Sequence, residues 1–537
     1  MFSSIYKGFL NIDGKALHFV RQGKGPALVL LHAAPCSAKV MAPLQAMWSA
    51  HFTTVAFDLP GFGFSDPPDA EIVATAQLAD IVADGIRRLG LSRVTLYGRH
   101  TGAGVAVEIA RRHPDLCHFI LTDGYPVFAV PYTDERLAEY LPAIEPQWDG
   151  GHLTWTWFRY REQHVFWPWD RPTSAQRADT DIPDLDFLYR GTTELLTSAD
   201  TYARIYTSAF QHKGLAVIDE VKVPVCFGNR PGDSQFKTVA SYPAHADTRV
   251  FSRNSEKAAE EELALLLSHR PETSAPEGGS MTEIFFDRMR GYVDLSAGAT
   301  YVRGVRMNDP GMPTLYIPAL PGSVDLHSDD MAMVTSDGPL IAFDPWGNGN
   351  SALPEGEQIS VQAWAKQAAD VSRHFGFTKV RIYGNCTGAA VALQALRDEP
   401  DLFVEAKLRS PAVVEQDGLE QFAEDYAPDI NPAWDGGNFL RLWHHLRDQE
   451  LWFPWNRRTI DHVRRNEARI EPRLLNARAI VLMRQPEHYQ RIWKAVLLFP
   501  TLNAIRALAG QIEVVSEPED LFAPHAEEAV TAARPAQ

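Results

Sequence analysis

The chain has 537 residues, 45% apolar and 22% charged, an ordinary globular composition with length for roughly two to four domains, each with its own core. A formal net charge of −17 argues against nucleic-acid and anionic-membrane partners, which need a concentrated basic surface. Four cysteines (Cys36, Cys117, Cys226, Cys386) make no disulfide framework, and no apolar run reaches the roughly 18 residues of a bilayer span. The opening residues lack a basic stretch followed by an apolar one, so no secretory signal is expected, and a reducing cytoplasm is the default compartment.

In chain order the pattern alternates strand, loop and helix. Residues 27–31 form an apolar run ending at His32, suited to a fully buried parallel strand. Residues 53–57 form another, ending in a turn at Asp58. Residues 75–89 carry helical spacing, 94–97 give a β-branched strand, and 103–112 an Ala/Val-rich helix. A strand over 119–122 precedes an irregular, Trp-rich stretch from Gly124 to about Asp200. Residues 223–227 and 248–251 restore strands, and 256–268 a helix. Such alternation predicts a doubly wound sheet with right-handed crossovers.

The chain then repeats itself. Tyr97-Gly98-Arg99-His100-Thr101-Gly102-Ala103 returns as Tyr383-Gly384-Asn385-Cys386-Thr387-Gly388-Ala389, and over residues 94–110 eight of 17 positions are identical. At the same offset Asp58-Leu-Pro-Gly61 returns as Asp344-Pro-Trp-Gly347. Pro114-Asp115-Leu116 returns as Pro400-Asp401-Leu402, and Trp148-Asp-Gly-Gly151 as Trp434-Asp-Gly-Gly437. This reads as a tandem duplication. The expected organisation is a first domain over 1–270, a Pro/Gly/Ser-rich linker over 271–282 and a second domain over 283–537.

The turn Asp58-Leu-Pro-Gly-Phe-Gly-Phe-Ser-Asp66, the loop His32-x-x-Pro35 and the Gly-x-X-x-Gly turn resemble the α/β-hydrolase superfamily, twice over and in family order. The resemblance implies two α/β-hydrolase folds in tandem, each a mostly parallel doubly wound sheet with a Trp-rich helical lid (about 125–205 and about 411–490). The second copy is truncated after its seventh strand. A subgroup with a Gly-x-His-Thr-Gly elbow and Asp-Gly-x-His/Asn-Leu in the lid is similar to His100-Thr101 and to Asp149-Gly150-Gly151-His152-Leu153.

By the same resemblance the residue at X is the nucleophile, usually Ser and here His100 or Cys386. The oxyanion hole would use the N–H of Thr101 or Thr387, with Ala33-Ala34 or Ala319-Leu320. The acid maps to Asp233 or Asp520, with Asp123 a second candidate whose counterpart is Arg409. The pattern breaks at the base: residues 252–255 hold no His, and His525 lies near the end of the second half. Neither half therefore has a complete triad by sequence.

Cys386, at a helix N-terminus that favours thiolate, is the better nucleophile. Its base would be His444, His445 or His525; otherwise it is a small buried residue left after Ser was lost. His100 would act as a base, or rarely as a nucleophile, if Asp233 or Asp123 orients it, with His32, His152 or His164 as a second imidazole. The alternative is a pocket-lining histidine, and His32 suits a structural loop role. Nine of the 13 tryptophans fall in the two lid segments, Trp157 and Trp443 among them, accompanied by Arg161-x-Gln163 and Arg447-x-Gln449. They suit the walls of an apolar cavity or the lid's own core. Neither His-Glu-x-x-His nor paired Cys-x-x-Cys spacing is present, so no metal and no cofactor is expected.

The expected activity is a cofactor-free hydrolase or C–C/C–X bond-cleaving enzyme acting on a small hydrophobic ester, lactone or ketone. The alternatives are an inactive pair that binds a hydrophobic ligand or partner, or one active half with the other as scaffold. A homo-oligomer is compatible with either.

Overall fold

The computed structural model describes residues 5–128, 132–327, 330–331, 334, 336–414, 417–516, 522 and 526–534. The chain divides into two compact units, Met1–Glu145 with Trp155–Gly279, and Pro146–Thr154 with Ser280–Gln537.

The first unit is built on an eight-stranded sheet: β1 (Ile5–Ile12), β2 (Lys15–Gln22), β3 (Ala27–Leu31), β4 (Thr53–Phe57), β5 (Val94–Arg99), β6 (Cys117–Asp123), β7 (Val225–Asn229) and β8 (Asp247–Val250). Its order is β1-β2-β4-β3-β5-β6-β7-β8. β1 and β2 form an antiparallel hairpin, β2 pairs antiparallel with β4, and the remaining pairs are parallel. β3 and β4 are buried at every position, as an apolar run covered on both faces requires. Helices Thr75–Arg88 and Thr101–Arg112 pack on the sheet. Between β6 and β7 lies an insertion of five helices, from Asp134–Tyr140 to Gly214–Ile218.

The second unit has an eight-stranded sheet of its own: β9 (Thr282–Phe285), β10 (Arg288–Asp294), β11 (Ala299–Val305), β12 (Thr314–Ile317), β13 (Leu340–Phe343), β14 (Val380–Asn385), β15 (Phe403–Arg409) and β16 (Ile512–Val515). The order is β16-β15-β14-β12-β13-β11-β10-β9. From β10 to β16 this repeats the order and pairing sense of β1 to β7. The opposite edge carries the additional strand β9, antiparallel to β10. Among the described residues no strand follows β16. An insertion between β15 and β16 again holds five helices, from Leu419–Asp425 to Thr501–Ala507.

Three features lay outside the sequence expectations. The β1–β2 hairpin was missed, because its mixed sequence shows neither strict alternation nor a continuous apolar run, although β2 is mostly buried. Strand β9 was missed where the expected linker, ending at 282, meets the second domain. Both helical insertions also run past the expected lid ends, 205 and 490. The segment read as linker is tied to the first unit: the Ala275 N–H donates to Gly25 O at 2.8 Å, and Arg21 donates to Pro276 O.

Candidate active site

Both units make the same turn after their central strand. β5 runs into His100, which sits at φ 47° and ψ −113°, and the helix Thr101–Arg112 starts at the next residue. A non-glycine residue held there stores backbone strain of about 1–3 kcal/mol. The flanking glycines follow from close packing. A Cβ on Gly98 would stand 2.4 Å from Gly102 O, and one on Gly102 only 2.1 Å from Leu31 O. In the second unit Cys386 has φ 52°, and Cβ atoms on Gly384 and Gly388 would meet Ala389 Cα at 2.7 Å and Pro318 O at 2.3 Å. There residues Cys386–Gly388 form a 3-10 turn, and the α-helix begins only at Ala389.

His100 has the acid that the elbow position requires. Its Nε2 donates to Asp233 Oδ2 at 2.9 Å, and Asp233 also accepts the Gln235 N–H at 2.8 Å. Asp233 stands in the turn after β7, so two adjacent parallel crossovers bring the pair together. Burial alone would raise the Asp233 carboxyl; His100, the Gln235 N–H and Arg99 outweigh it and hold it far below the usual range. Burial likewise pulls His100 down, but Asp233 prevails and its pKa lies above 6.5. The Asp233 contact leaves the proton of the neutral ring on Nε2 and the lone pair on Nδ1.

Asp123, the second acid candidate, is not a partner of the His100 ring. It is fully buried and bound by Arg99 Nε at 3.3 Å and Arg230 Nη2 at 3.1 Å. Arg230 also meets Glu262 at 2.8 Å, and burial beside Asp123 pushes the Glu262 carboxyl up to about 7. This buried network braces the elbow from behind.

Several polar groups of the first unit went unnoticed in the sequence. Cys36 Sγ lies 3.4 Å from Tyr160 OH, and Glu194 accepts the Ser37 N–H at 2.8 Å. Burial pushes the Glu194 carboxyl up to about 7 and the Cys36 thiol up to about 12. His164, taken as a second imidazole, is held down to about 4 by burial and by Arg99, Arg159 and His100. Of the Arg161-x-Gln163 pattern only Gln163 turns inward, where it accepts from Arg159 at 2.9 Å, whereas Arg161 pairs with Glu162. Helical periodicity places Arg159 on the buried face, three residues after Thr156 and four before Gln163.

Other expected residues are engaged in structural roles. His32 is fully buried, with Nδ1 on Ala33 O at 2.9 Å and Nε2 accepting the Leu59 N–H at 2.8 Å, so its nitrogens hold the loop and not a substrate. His152 belongs with the second unit, bound to the Gln147 N–H at 3.1 Å and Asn476 Oδ1 at 2.9 Å, and it is no second imidazole for His100. Trp443 packs edge-on against His152, and its Nε1 donates to Trp148 O at 3.2 Å. Trp443 and Trp157 are both 1% exposed and belong to packed interiors.

Around Cys386 the expected bases are not placed for the task. His445 is fully buried with both ring nitrogens engaged, by Tyr489 OH at 2.9 Å and Gln449 Nε2 at 2.9 Å. Burial and Arg478 keep it neutral, well below 6.5. His444, one residue earlier, is exposed, because the helix turns it away from the buried face. Asp520 and His525 lie outside the described residues. Asn385 donates to Tyr316 OH at 3.1 Å, and Arg409 meets Asp330 at 3.8 Å where the first unit has Asp123.

The oxyanion loops differ as well. The Leu320 N–H donates to Thr387 Oγ1 at 2.7 Å, and that hydroxyl donates back to Leu320 O at 2.7 Å, which closes the position. Neighbouring Ala319 sits in the same closed loop. The matching Ala34 N–H reaches Thr101 Oγ1 only at 3.4 Å, a bond weak enough to exchange for a developing oxyanion beside Ala33. Among the described residues no cluster of three or more His, Cys, Asp or Glu is placed to hold a metal ion. None of their helices is long and apolar enough to cross a membrane.

Residues 26–212 match the family described as alpha/beta hydrolase fold. Over 142 residues the chain is 31% identical to 2-(acetamidomethylene)succinate hydrolase of Mesorhizobium japonicum, covering 26% of this chain and 48% of that protein. Over 107 residues it is 31% identical to (E)-2-((N-methylformamido)methylene)succinate hydrolase of Acinetobacter baylyi, covering 19% and 39%. The matched stretches thus span less than half of either relative. A crystal structure of an alpha/beta hydrolase fold protein from Burkholderia ambifaria is 20% identical, with a TM-score of 0.38, covering 48% of this chain and 96% of that one. The family match lies mostly in the first unit, and both of these relatives are named as hydrolases.

Proposed function

We propose that the first unit is a cofactor-free hydrolase in which His100, oriented by Asp233, acts as the base at the elbow. The observation that carries this reading is the 2.9 Å His100–Asp233 bond at the position where the fold presents its reacting group. Nδ1 of His100 takes a proton from water while the water oxygen bonds to the substrate carbonyl carbon. The carbonyl π-electrons move to oxygen, facing the N–H groups of Thr101 and Ala34. Collapse of the adduct expels the leaving group, which takes the proton back from the ring.

The named relatives act on acylaminomethylene succinates. Small acylated enamines therefore join apolar esters, lactones and β-diketones as the substrate panel. The two halves descend, on this reading, from a tandem duplication, and each helical insertion is a lid. The second half, with His445 engaged and Leu320 closed, serves as scaffold. A second reading keeps thiolate chemistry at Cys386, favoured by its positive φ and its half-buried position.

Turnover of that panel by the full chain separates the two. His100→Gln is expected to lose on the order of 10²–10⁴-fold in kcat, the usual share of a general base, while Cys386→Ala stays near the parent. The opposite result assigns the chemistry to Cys386.

A further inference from the structure

The helix Gly151–Glu162 places an arginine on its buried face. Arg159 is 1% exposed, its guanidinium 4.3 Å from the Trp169 ring centroid and 5.6 Å from that of Tyr140. Nη1 donates to Gln163. Nε and Nη2 are buried without a hydrogen-bond partner, and no ion pair reaches the group among the described residues. A buried cation is costly unless an anion and hydrogen bonds compensate it, so this side chain is poised for a partner that the described residues do not supply.

The two unpartnered nitrogens narrow the choice. Nε and Nη2 form one edge of the guanidinium, the edge that meets both oxygens of a carboxylate in two parallel hydrogen bonds. Gln163 holds the opposite end, and the two aromatic rings cover the face. His164 Nε2 is a further buried polar atom without a partner, on a ring packed 5.3 Å from Tyr160 and 5.5 Å from Phe187. That ring's neighbour Tyr160 reaches Cys36 Sγ at 3.4 Å, and the Cys36 N–H donates to Ala33 O at 3.0 Å, which ties this corner to the loop beside the elbow; Arg159, Arg99 and His100 all act electrostatically on His164.

We propose that Arg159 binds a carboxylate of the substrate through its Nε–Nη2 edge, with His164 Nε2 as an additional contact, so that the first unit acts on anionic acyl compounds. This rests on reading His100 as the base of the same unit.

Calorimetric titration of the full chain with benzoate and with benzamide tests it, since the two differ in the carboxylate alone. Benzoate is expected to bind at least about tenfold more tightly. Arg159→Gln should abolish that preference and leave benzamide unchanged. Arg159→Lys, which keeps the charge without the fork, should retain a part of it and serves if the glutamine variant does not fold. Equal binding of the two probes, no binding of benzoate, or unchanged benzoate affinity in both variants overturns the proposal. His100→Gln should lose turnover yet keep the benzoate preference. If that variant keeps turnover, the base assignment fails and the carboxylate site stands.

Discussion

The two elbows share a backbone and differ in nearly everything around it. His100 and Cys386 sit at φ 47° and 52°, each between glycines whose missing Cβ atoms let the helix press onto the strand. The first is bonded to a carboxylate 133 residues later in the chain, and its loop N–H is loosely held at 3.4 Å. Around the second, a threonine hydroxyl closes the loop at 2.7 Å, and the buried lid histidine is committed to Tyr489 and Gln449. The strained turn is therefore a property of strand–helix packing, which persists whatever side chain stands there. The chemistry depends on what distant loops bring to it.

The contrast breaks first at the reacting residues, where His100→Gln and Cys386→Ala should differ by the 10²–10⁴-fold given above. Next come the glycines, where the units should behave alike. Gly102→Ala and Gly388→Ala each drive a Cβ into a carbonyl oxygen, and each should cost about 1–3 kcal/mol or more in urea unfolding. A much smaller loss at Gly388 would show that the second elbow is loosely packed.

A smaller effect is expected inside the second unit. His445→Ala strands Tyr489 OH and Gln449 and should cost about 1–3 kcal/mol, whereas the exposed neighbour His444→Ala should stay within about 0.5 kcal/mol. Equal losses would place His444 in the interior.

The mildest test is pH. The His100 ring must be neutral to accept a proton, so kcat/KM should rise with pH through a midpoint above 6.5. Asp233→Asn removes the raising influence and leaves burial, which should move that midpoint below 6.5. For stability the signs follow from the two shifts. His100, raised, contributes fully below pH 6.5 and loses its contribution as pH rises through its folded pKa. Asp233, lowered, contributes above 3.8 and loses its contribution as pH falls through its folded pKa. The pair therefore stabilises most in weak acid.

Much of the fold was legible because it is written in local patterns. Residues 27–31 are apolar throughout and 53–57 end in Val-Ala-Phe because parallel strands are buried on both faces, and Gly98-x-His100-x-Gly102 marks a turn that only glycines permit. The hairpin β1–β2 and the edge strand β9 were not legible, since neither strict alternation nor a continuous apolar run marks them. At the site, Asp233, expected as the acid from its place after the seventh strand, lies 2.9 Å from the His100 ring. The lid histidines were not legible, because one residue of helical rotation separates exposed His444 from buried His445.

The sequence by itself carried the repeated motifs, the two Gly-x-X-x-Gly turns and the divergence of His against Cys, all of them matters of short-range spacing. Tertiary structure alone decided which imidazole has a free lone pair and that Asp123 is taken by Arg99 and Arg230. It also decided that Arg159 is buried with no carboxylate paired to it among the described residues. Each depends on groups far apart in the chain competing for the same hydrogen bonds, and only the folded packing settles that competition.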